Sequence, residues 1–569
     1  MNAERLLALY EKVAEAPDAV PRLRRFVLDL AVRGKLVPQE AGDEPASELL
    51  KRIAAEKARL VKAGEIRKKA AQNPKMVEPP HELPSNWRWV SLGTVFLYDA
   101  GAKREPKSLD PSLWLLELED IEKETGRLVA RISVADRESK STKSEFQVGD
   151  ILYGKLRPYL TKVLVADAPG YSTTEIVAIR PFLPLCSEYC ALALKRPAFV
   201  DYVTRLGQGT KMPRLRTEDA VVSPFPLPPL AEQRRIVAKV EELMALLDRL
   251  EAARTAREAT RDRLTAASLA RLTAHDTDAA DFPAHARFAL AALPALTTRP
   301  DQVKPLRQTI LNLAVRGKLV DQDPTDEPAS ELLKRIAMEK KRLGLKHPVV
   351  PLGAEEEPFE LPSGWSWTRV GEICSKTGSG STPRGGKDVY KKSGIPFLRS
   401  QNVYNDGLRL DDVAFIDAPT HERMKGTRVS PGDLLLNITG GSMGRCGRVP
   451  EDFGEANISQ HVAIIRPAVS GMEAFLHSLV LSPYFQAFIF DEQTGAGRGG
   501  LPKNRMDKIA VALPPLAEQH RIVAKVDALM ALCDRLEATL TTTETTRARL
   551  LEALLHEALT PAEEREAAA

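Results

Sequence analysis

The chain contains two copies of one long unit, and this duplication restricts its fold more than any other feature of the sequence. Residues 23–60 recur as residues 306–343, with 28 of 38 positions identical at an offset of 283 residues. This offset is close to half of the 569 residues in the chain. Solenoid repeats have periods of tens of residues, so each copy is long enough to fold as a unit of its own.

Two further repeats follow in the same order in both copies. They are LPSNWRW at 83–89 with LPSGWSW at 361–367, and a segment opening with LPPLAEQ at 227–251 and 513–537 that is identical at 21 of 25 positions. Between these repeats, residues 90–226 and 368–512 share only short fragments. One part of the unit is nearly fixed and the other varies, which indicates a common frame that carries two different recognition domains.

A length of 569 residues allows three to four domains. We predict an α+β fold, in which two mixed domains with short strands alternate with helical segments. The expected boundaries are 1–82 for an N-terminal helical arm, 83–226 for the first mixed domain, 227–360 for a central helical region, 361–512 for the second mixed domain and 513–569 for a C-terminal helix.

The last repeat of each unit predicts a long helix. Neither glycine nor proline occurs between Pro229 and Pro283, or between Pro515 and Pro561. Apolar residues follow a 4-3 spacing in both copies, as in a coiled coil. These seams consist of Ile236, Val240, Leu243, Leu247 and Leu250, and of Ile522, Val526, Leu529, Cys533 and Leu536. Two near-identical seams favour packing of the two helices on each other; the alternative is an amphipathic helix packed on its own domain.

Loops of the two mixed domains carry side chains suited to DNA. Arg, Gln and Asn form paired hydrogen bonds to guanine or adenine, while Lys and Arg bind phosphates. The candidates are Lys155, Arg157, Lys211, Arg214 and Arg216 in the first domain, and Arg384, Lys387, Gln401, Asn402, Arg445, Arg498, Lys503 and Arg505 in the second. We expect residues 211–216 to occupy the position of 500–505. A single basic loop is more often merely solvated, so these residues are hypotheses.

The composition excludes several classes of protein. Lys and Arg total 81 and Asp and Glu 77, so the formal net charge is 81 − 77 = +4 and the chain is not polybasic. DNA binding needs only a basic surface and stays open. Five scattered cysteines indicate a reducing compartment, and no apolar run approaches the roughly 20 residues of a membrane span. We therefore expect a cytoplasmic protein without a membrane segment.

Motifs for catalysis and cofactor binding are missing from the sequence. It has no phosphate-binding loop, no zinc-protease or serine-hydrolase motif and no Asn-Pro-Pro-aromatic methyltransferase tetrapeptide. Residues 495–500 match G-x-G-x-x-G only formally, because no βαβ unit follows. The nine histidines lack the spacing of metal ligands, so we predict neither a metal nor a cofactor on this chain.

The duplicated LAVRGKLV, DEPASELLKRI, LPSxWxW and LPPLAEQ…IVAKV motifs resemble the specificity subunits of type I restriction–modification enzymes. The resemblance covers essentially the whole chain. It implies two target recognition domains joined by conserved helices that pack as an antiparallel coiled coil in a pseudo-twofold tandem repeat. Each domain would read one half of an asymmetric, bipartite site in double-stranded DNA, and the helices would set the spacer.

The same resemblance implies partners that perform the chemistry. Two methyltransferase subunits using S-adenosylmethionine would dock on the helical frame, and restriction subunits driven by ATP and Mg²⁺ would join them. The chain itself would be non-catalytic. Two alternatives stay open: a fused endonuclease or methyltransferase with an unrecognised motif, and a helical scaffold that does not bind DNA.

Overall fold

The structure, a computed structural model, describes residues 14–68, 71–206, 211–274, 281–345, 352–353, 356–491 and 500–559, and it gives no side-chain surroundings for residues 386, 387 and 491. The chain divides into two compact units, Met1–Ala256 with Thr545–Ala569, and Arg257–Glu544. Each unit contains one copy of the repeat. Each also contains the final part of a long helix that begins in the other copy.

The first unit combines a helical arm with a mixed domain of short strands. Its helices are α1 (Ala19–Val32), α2 (Ala46–Lys62), α3 (Leu92–Val95), α4 (Ser187–Lys195), α5 (Pro197–Leu206), α6 (Thr217–Val222) and the long α7 (Leu230–Thr273), which continues into the second unit. Its strands are β1 (Arg88–Ser91), β2 (Phe96–Tyr98), β3 (Lys103–Arg104), β4 (Trp114–Leu116), β5 (Lys143–Phe146), β6 (Ile151–Gly154), β7 (Val163–Val165), β8 (Gly170–Thr173), β9 (Ile176–Pro181) and β10 (Pro224–Leu227).

The second unit repeats this order. Its helices are α8 (Phe282–Leu296), α9 (Val303–Val315), α10 (Ala329–Arg342), α11 (Val370–Ile373), α12 (Ala418–Arg423), α13 (Glu473–Leu481), α14 (Pro483–Asp491), α15 (Lys503–Lys508) and α16 (Leu516–Leu559). Its strands are β11 (Ser366–Arg369), β12 (Cys374–Ser379), β13 (Ile395–Leu398), β14 (Val403–Tyr404), β15 (Gly407–Leu408), β16 (Ala414–Ile416), β17 (Leu434–Asn437), β18 (Cys446–Arg448), β19 (Asn457–Ile458), β20 (Val462–Pro467) and β21 (Ala510–Leu513).

Each mixed domain leaves the frame and returns to it through a two-stranded antiparallel sheet, which we call the neck. In the first unit β1 pairs with β10, from Arg88 opposite Leu227 to Ser91 opposite Pro224. In the second, β11 pairs with β21 in the same way. The repeated LPSxWxW and LPPLAEQ motifs flank these necks, so the boundary between fixed and variable sequence coincides with them.

A four-stranded antiparallel sheet of the same topology lies beyond each neck. Its strand order is β2-β9-β6-β7 in the first unit and β12-β20-β17-β18 in the second. The remaining strands differ: the first domain adds a mixed sheet, β3-β5-β8-β4, whereas the second adds β16-β13-β19 and the hairpin β14–β15. The predicted mixture of helices and strands is therefore confirmed. The two domains have one four-stranded sheet of the same topology each, and they differ in their remaining strands.

Three repeated motifs meet at one buried contact in each unit. The indole Nε1 of Trp87 donates a hydrogen bond to Glu232 at 2.9 Å, and the Gln39 amide donates to the other carboxylate oxygen at 2.6 Å. In the second unit, Trp365 and Gln322 donate to Glu518 in the same arrangement, each at 3.0 Å. The repeated segments are thus the ones that join arm, neck and long helix.

Both long helices span 44 residues, as the absence of glycine and proline predicted. Their seams, however, are buried within their own units. Ile236, Val240 and Leu247 belong to the first unit's core with Val20 and Val27 of α1. Leu243 and Leu250 pack against that core.

The second seam divides between two cores of its own unit. Ile522 and Val526 lie in one core. Cys533 and Leu536 belong to another, which they share with Leu306 of α9 and with Leu269 and Leu272 near the end of the other long helix, α7. Leu529 is half-buried. The first seam packs on α1 of its own unit, as the alternative expects, whereas the second shares a core with residues of α7, so the packing of the two seams on each other stays a prediction. A 4-3 spacing specifies an apolar face but not the element that covers it.

Among the described helices, none combines the length and apolar character required to cross a membrane.

Candidate nucleic-acid interface

The candidate residues of the first mixed domain gather where strand β6 ends. The Lys155 amide donates to the Glu175 carbonyl at 2.9 Å, and the Leu215 amide donates to the Lys155 carbonyl at 2.9 Å. The Arg157 amide donates to the Pro213 carbonyl at 2.8 Å. Two loops that are distant in sequence therefore run side by side. This arrangement brings together the candidates of residues 155–157 and 213–216, which we call the first loop cluster.

The first loop cluster presents an excess of positive charge. Arg157, Arg214, Arg216 and the nearby Lys211 are exposed, and Lys155 is half-buried. Arg214 donates to the Glu175 carboxylate at 3.0 Å, whereas Arg157 and Arg216 have no carboxylate partner among the residues that the structure describes. Unpaired guanidinium groups on a loop are available to phosphates or base edges.

The backbone at Arg157 is strained. This residue has φ 51° and ψ 60°, in the left-handed region, although it is not glycine and it precedes Pro158. Both facts disfavour the conformation, since a residue before proline prefers an extended backbone. The short turn Pro158–Leu160 and the bond to Pro213 hold it in place. Strain of this kind concentrates at functional sites, which supports a role for Arg157 in binding.

In the second mixed domain, the equivalent strand β17 ends at Asn437, and three loops meet there. The Asn437 amide donates to the Arg445 carbonyl and its side-chain Nδ2 donates to the Ser400 carbonyl, each at 2.8 Å. The Leu501 amide donates to the Ile438 carbonyl at 3.0 Å. The β14–β15 hairpin joins them, because the Cys446 amide donates to Asn405. We call residues 400–401, 404–409, 438–445 and 500–503 the second loop cluster.

The second loop cluster contains Gln401, Arg445 and Lys503 of the predicted residues. The exposed Gln401 amide donates to Asp412 at 2.5 Å. Lys503 Nζ is tied to Thr377 Oγ1 at 2.7 Å and to Asp507 at 2.5 Å. Beside Lys503 lies a cavity of about 250 Å³, lined by Gly378, Ser379, Ile438, Ala463, Gly500, Leu501, Pro502 and Met506.

Several predicted residues are placed elsewhere. The Asn402 side chain is buried, accepts a hydrogen bond from the Arg399 amide at 3.0 Å and donates to the Arg409 carbonyl at 2.9 Å. The Asn402 amide closes a turn, so its placement lends no support to the predicted DNA contact, which stays a prediction. Arg384 and Arg505 are exposed, and the Arg505 amide donates to the Pro502 carbonyl at 3.1 Å, at the edge of the cluster. Arg498 and the Lys387 side chain lie outside the described residues.

The expected correspondence between the two loops is shifted. Leu215 bonds to the end of β6 as Leu501 bonds to the end of β17. These two leucines therefore occupy equivalent positions, and the correspondence of 211–216 with 500–505 is off by three residues. The first domain has Arg214 and Arg216 where the second has Gly500 and Pro502.

Sequence reasoning missed one part of the second loop cluster. The Arg409 and Arg445 guanidinium carbons lie 5.2 and 4.8 Å from the centre of the Tyr404 ring. Arg445 is far from Tyr404 in sequence, and Tyr404 lies in a hairpin too short for its residue alternation to predict. An aromatic residue between Asn402 and Asn405 was the only signal.

The described residues contain no cluster of three or more His, Cys, Asp or Glu side chains that could hold a metal ion. The polar groups of the two loop clusters are donors in excess of acceptors. Such a surface suits an anionic, hydrogen-bonding partner.

The comparisons with known proteins first define a class. The profile described as "Type I restriction modification DNA specificity domain" matches residues 362–543, which comprise the second mixed domain and most of α16. The class is thus that of DNA-specificity proteins of type I restriction–modification systems.

Full-length relatives then identify the family. The chain is 31% identical to the EcoAI specificity subunit of Escherichia coli, over 95% of this chain and 94% of that protein. It is 32% identical to the EcoEI specificity subunit of the same species, with the same coverage. The chain therefore belongs to the specificity subunits of type I restriction enzymes, and the resemblance found in the sequence is confirmed.

A solved structure shares the fold. A chain from work on complex assembly and conformational transition of the type I R-M system superimposes with a TM-score of 0.50 at 22% identity. The match covers 84% of this chain and 99% of that chain. At 22% identity, this similarity is evidence for the fold alone.

Proposed function

We propose that this chain is the DNA-recognition subunit of a type I restriction–modification complex and that each mixed domain reads one half of an asymmetric, bipartite site. The observation that carries the proposal is the pair of loop clusters. Each lies at the end of the equivalent strand, β6 or β17, of a four-stranded sheet that has the same topology in both domains. The two clusters carry different side chains. A common scaffold with different polar groups at one position is what reading two different sequences requires.

The chemistry of the two clusters supports an asymmetric site. The first cluster has Arg157, Arg214 and Arg216. The second has Gln401 and Arg445. Because base edges are distinguished by the donors and acceptors they meet, these two sets select different bases.

Repeated surface residues support two identical partners. Lys51 pairs with Glu48, and Lys334 pairs with Glu331, each at 2.7 Å; both lysines are exposed and both glutamates are half-buried. Surface pairs of this kind contribute about 0–1 kcal/mol to stability, so folding alone does not require their identity in both units. Leu246 and Leu532, at equivalent positions of α7 and α16, are both 52% exposed. Such surfaces suit two copies of one protein, which we infer to be the methyltransferase subunits.

The long helices support an antiparallel, pseudo-twofold arrangement. The first unit holds the start of α7 with the end of α16, and the second holds the start of α16 with the end of α7. We infer that the length of these helices sets the spacer between the half-sites.

In this proposal the chain performs no catalysis. S-adenosylmethionine, ATP and Mg²⁺ bind to the methyltransferase and restriction subunits, and this chain contributes double-stranded DNA recognition and docking. A fused nuclease or methyltransferase predicts activity of the purified chain alone. A scaffold without DNA binding predicts no salt-dependent shift of a DNA probe.

The experiment is to rebuild the complex with its methyltransferase subunits and to sequence the methylated adenines. Separate Arg157→Ala, Arg214→Ala and Arg216→Ala variants should relax the first half-site only. Each lost base contact costs on the order of 1–3 kcal/mol, whereas a lost phosphate contact weakens all sequences alike. Arg234→Ala, at an exposed position of α7, is the control for removing a positive charge.

Two outcomes contradict the proposal. A change in both half-sites from one loop variant rules out the division of labour between the domains. Methyl transfer by the isolated chain, free of methyltransferase subunits, rules out a non-catalytic role.

A further inference from the structure

Two arginines of the second loop cluster lie over the ring of Tyr404. The guanidinium carbon of Arg445 is 4.8 Å from the ring centre, and that of Arg409 is 5.2 Å from it. Tyr404 and Arg445 are both half-buried, and Arg409 is exposed. Cation–π contacts of this kind are attractive and reach to about 6 Å.

The backbone around this stack is fixed by long-range contacts. The Cys446 amide donates to the Asn405 side-chain oxygen at 3.1 Å, which ties the β14–β15 hairpin to β18. Gly447 lies so close to the hairpin that an added Cβ would come within 2.7 Å of the Tyr404 carbonyl oxygen. The Arg445 amide and carbonyl are also both occupied, by Ser442 and Asn437. These contacts hold the backbone of Tyr404 and of Arg445 in place.

The two arginines are not equivalent. Arg409 is neutralised by Asp406 at 2.5 Å. Arg445 has neither a carboxylate partner nor a side-chain hydrogen bond within the described part of the chain. A guanidinium stacked on an aromatic ring keeps its donors free in its own plane, where they match the two acceptors of guanine.

We propose that Arg445 is the guanine-reading side chain of the second half-site and that Tyr404 is its positioning residue. This inference rests on the proposed function and adds to it the residue and the base. The first domain has no aromatic residue at the equivalent position. Its equivalent turn is bridged from Ile121 to Leu128 and has the exposed Glu122 where the second domain has Tyr404. A carboxylate there cannot stack an arginine and repels phosphate.

The test uses the complex rebuilt with its methyltransferase subunits, and methylation sites are sequenced genome-wide. Arg445→Ala and Arg445→Lys should both turn one G·C pair of the second half-site into a degenerate position. The loss of preference should be roughly 10- to 100-fold, since lysine keeps the charge but not the paired donors. The first half-site should stay unchanged and reports that the variant is folded.

Tyr404 is tested by its conservative variant. Tyr404→Phe retains the ring and should keep the wild-type site. Tyr404→Leu should relax the same G·C pair that Arg445→Ala relaxes. Arg409→Ala is the matched control, because it removes the other guanidinium over the same ring and should leave the base preference intact.

The outcomes that overturn the inference differ from those that overturn the proposed function. If Arg445→Ala lowers methylation of all sites alike and leaves the recognised sequence unchanged, Arg445 binds a phosphate. If Tyr404→Leu behaves as wild type, the stack does not position Arg445. If wild-type complexes methylate without sequence preference, or if an Arg445 variant changes both half-sites, the proposed function fails.

Discussion

At the scale of single residues, the two units use different side chains to donate a hydrogen bond to an equivalent carbonyl. Arg196 is almost fully buried and donates to the carbonyls of Ala193 and Pro224. Burial lowers its pKa to about 10. The second unit has Ser482 at the equivalent position, and Tyr484 donates to the equivalent carbonyl of Ala510 at 2.8 Å. The requirement is that the carbonyl be satisfied, and either donor meets it.

Asp29 of α1 gives a prediction about pH, since its counterpart in the second repeat is Asn312. Burial raises the Asp29 pKa from 3.8 to about 6. The folded state therefore favours the protonated carboxyl, and this contribution is full below pH 3.8 and is lost as the pH rises through 6. Asp29→Asn should raise the free energy of unfolding by roughly 1–3 kcal/mol at pH 8 and by less at pH 5.

The measurement is urea denaturation of wild type and variant at both pH values. The exposed Asp411→Asn variant gives the baseline for removal of one carboxylate. An equal effect of Asp29→Asn at pH 5 and pH 8 would contradict the argument.

The buried Trp87–Glu232 contact gives a second prediction at this scale. Burial raises the pKa of Glu232, and the Trp87 hydrogen bond opposes that rise. Trp87→Phe removes the donor and should lower the free energy of unfolding by about 2 kcal/mol. Trp89→Phe should cost less, because its indole donates to the neutral carbonyl of His81. Thermal unfolding of both variants checks the order.

At the scale of elements, the turn after α1 is fitted to the neck. Gly34 has φ +66°, and an added Cβ would lie 2.4 Å from Pro84 Cγ and 3.4 Å from the Trp87 ring. Gly317 faces Pro362 and Trp365 in the same way. The glycine of LAVRGKLV thus allows the left-handed backbone that ends the helix, and it leaves room for the proline and tryptophan of the LPSxWxW motif.

This geometry predicts a difference between two glycine variants. Gly34→Ala combines left-handed strain with a steric clash, whereas Gly64→Ala, at φ +74° with no atom within 4 Å, has the strain alone. Strain of this kind costs about 1–2 kcal/mol. Gly34→Ala should lose clearly more, measured by urea denaturation. Equal losses would show that Pro84 moves aside.

The elements also show which features a sequence can predict. The long helices follow from local rules, since neither glycine nor proline interrupts them, and the frame follows from the repeats. The partner of the Ile236–Leu250 seam does not follow, because α1 packs there through contacts more than 200 residues apart in sequence. The loop clusters were predicted as separate basic segments. Their assembly depends on backbone bonds such as Leu215 to Lys155, which no local pattern encodes.

At the scale of the whole molecule, the two long helices pass from one unit to the other near residues 256 and 544. Each unit is completed by the end of a helix that starts in the other copy of the repeat. The first unit's core at Ala16 and Ala19 is closed by Leu551 and Leu554 of α16. Neither copy of the repeat alone supplies all the elements of one unit.

Lengthening both helices should therefore change the spacer. Seven residues inserted after Ala256 and after Glu544 leave the buried seams untouched and keep the helical phase close to its original value. They add about 7 × 1.5 ≈ 10 Å, which is roughly three base pairs at 3.4 Å each. Methylation sites of the rebuilt complex should keep both half-sites and gain about three base pairs between them. Binding should be weaker, because three added pairs also rotate the second half-site about the axis of the DNA. An unchanged gap in an active complex would show that these helices do not set the spacing.

The neck has a consequence for how such a protein changes over evolutionary time. Because β1 and β10 are hydrogen-bonded neighbours, the chain leaves the frame and rejoins it within about 5 Å. A whole mixed domain is then one uninterrupted cassette of coding sequence, bounded on both sides by stretches that occur twice in the gene. Recombination at these boundaries can install a foreign cassette, provided that it brings the side chains of α4 and α5 that pack on α1. A bacterial lineage can acquire a new target sequence in one step, while its partner subunits meet an unaltered surface.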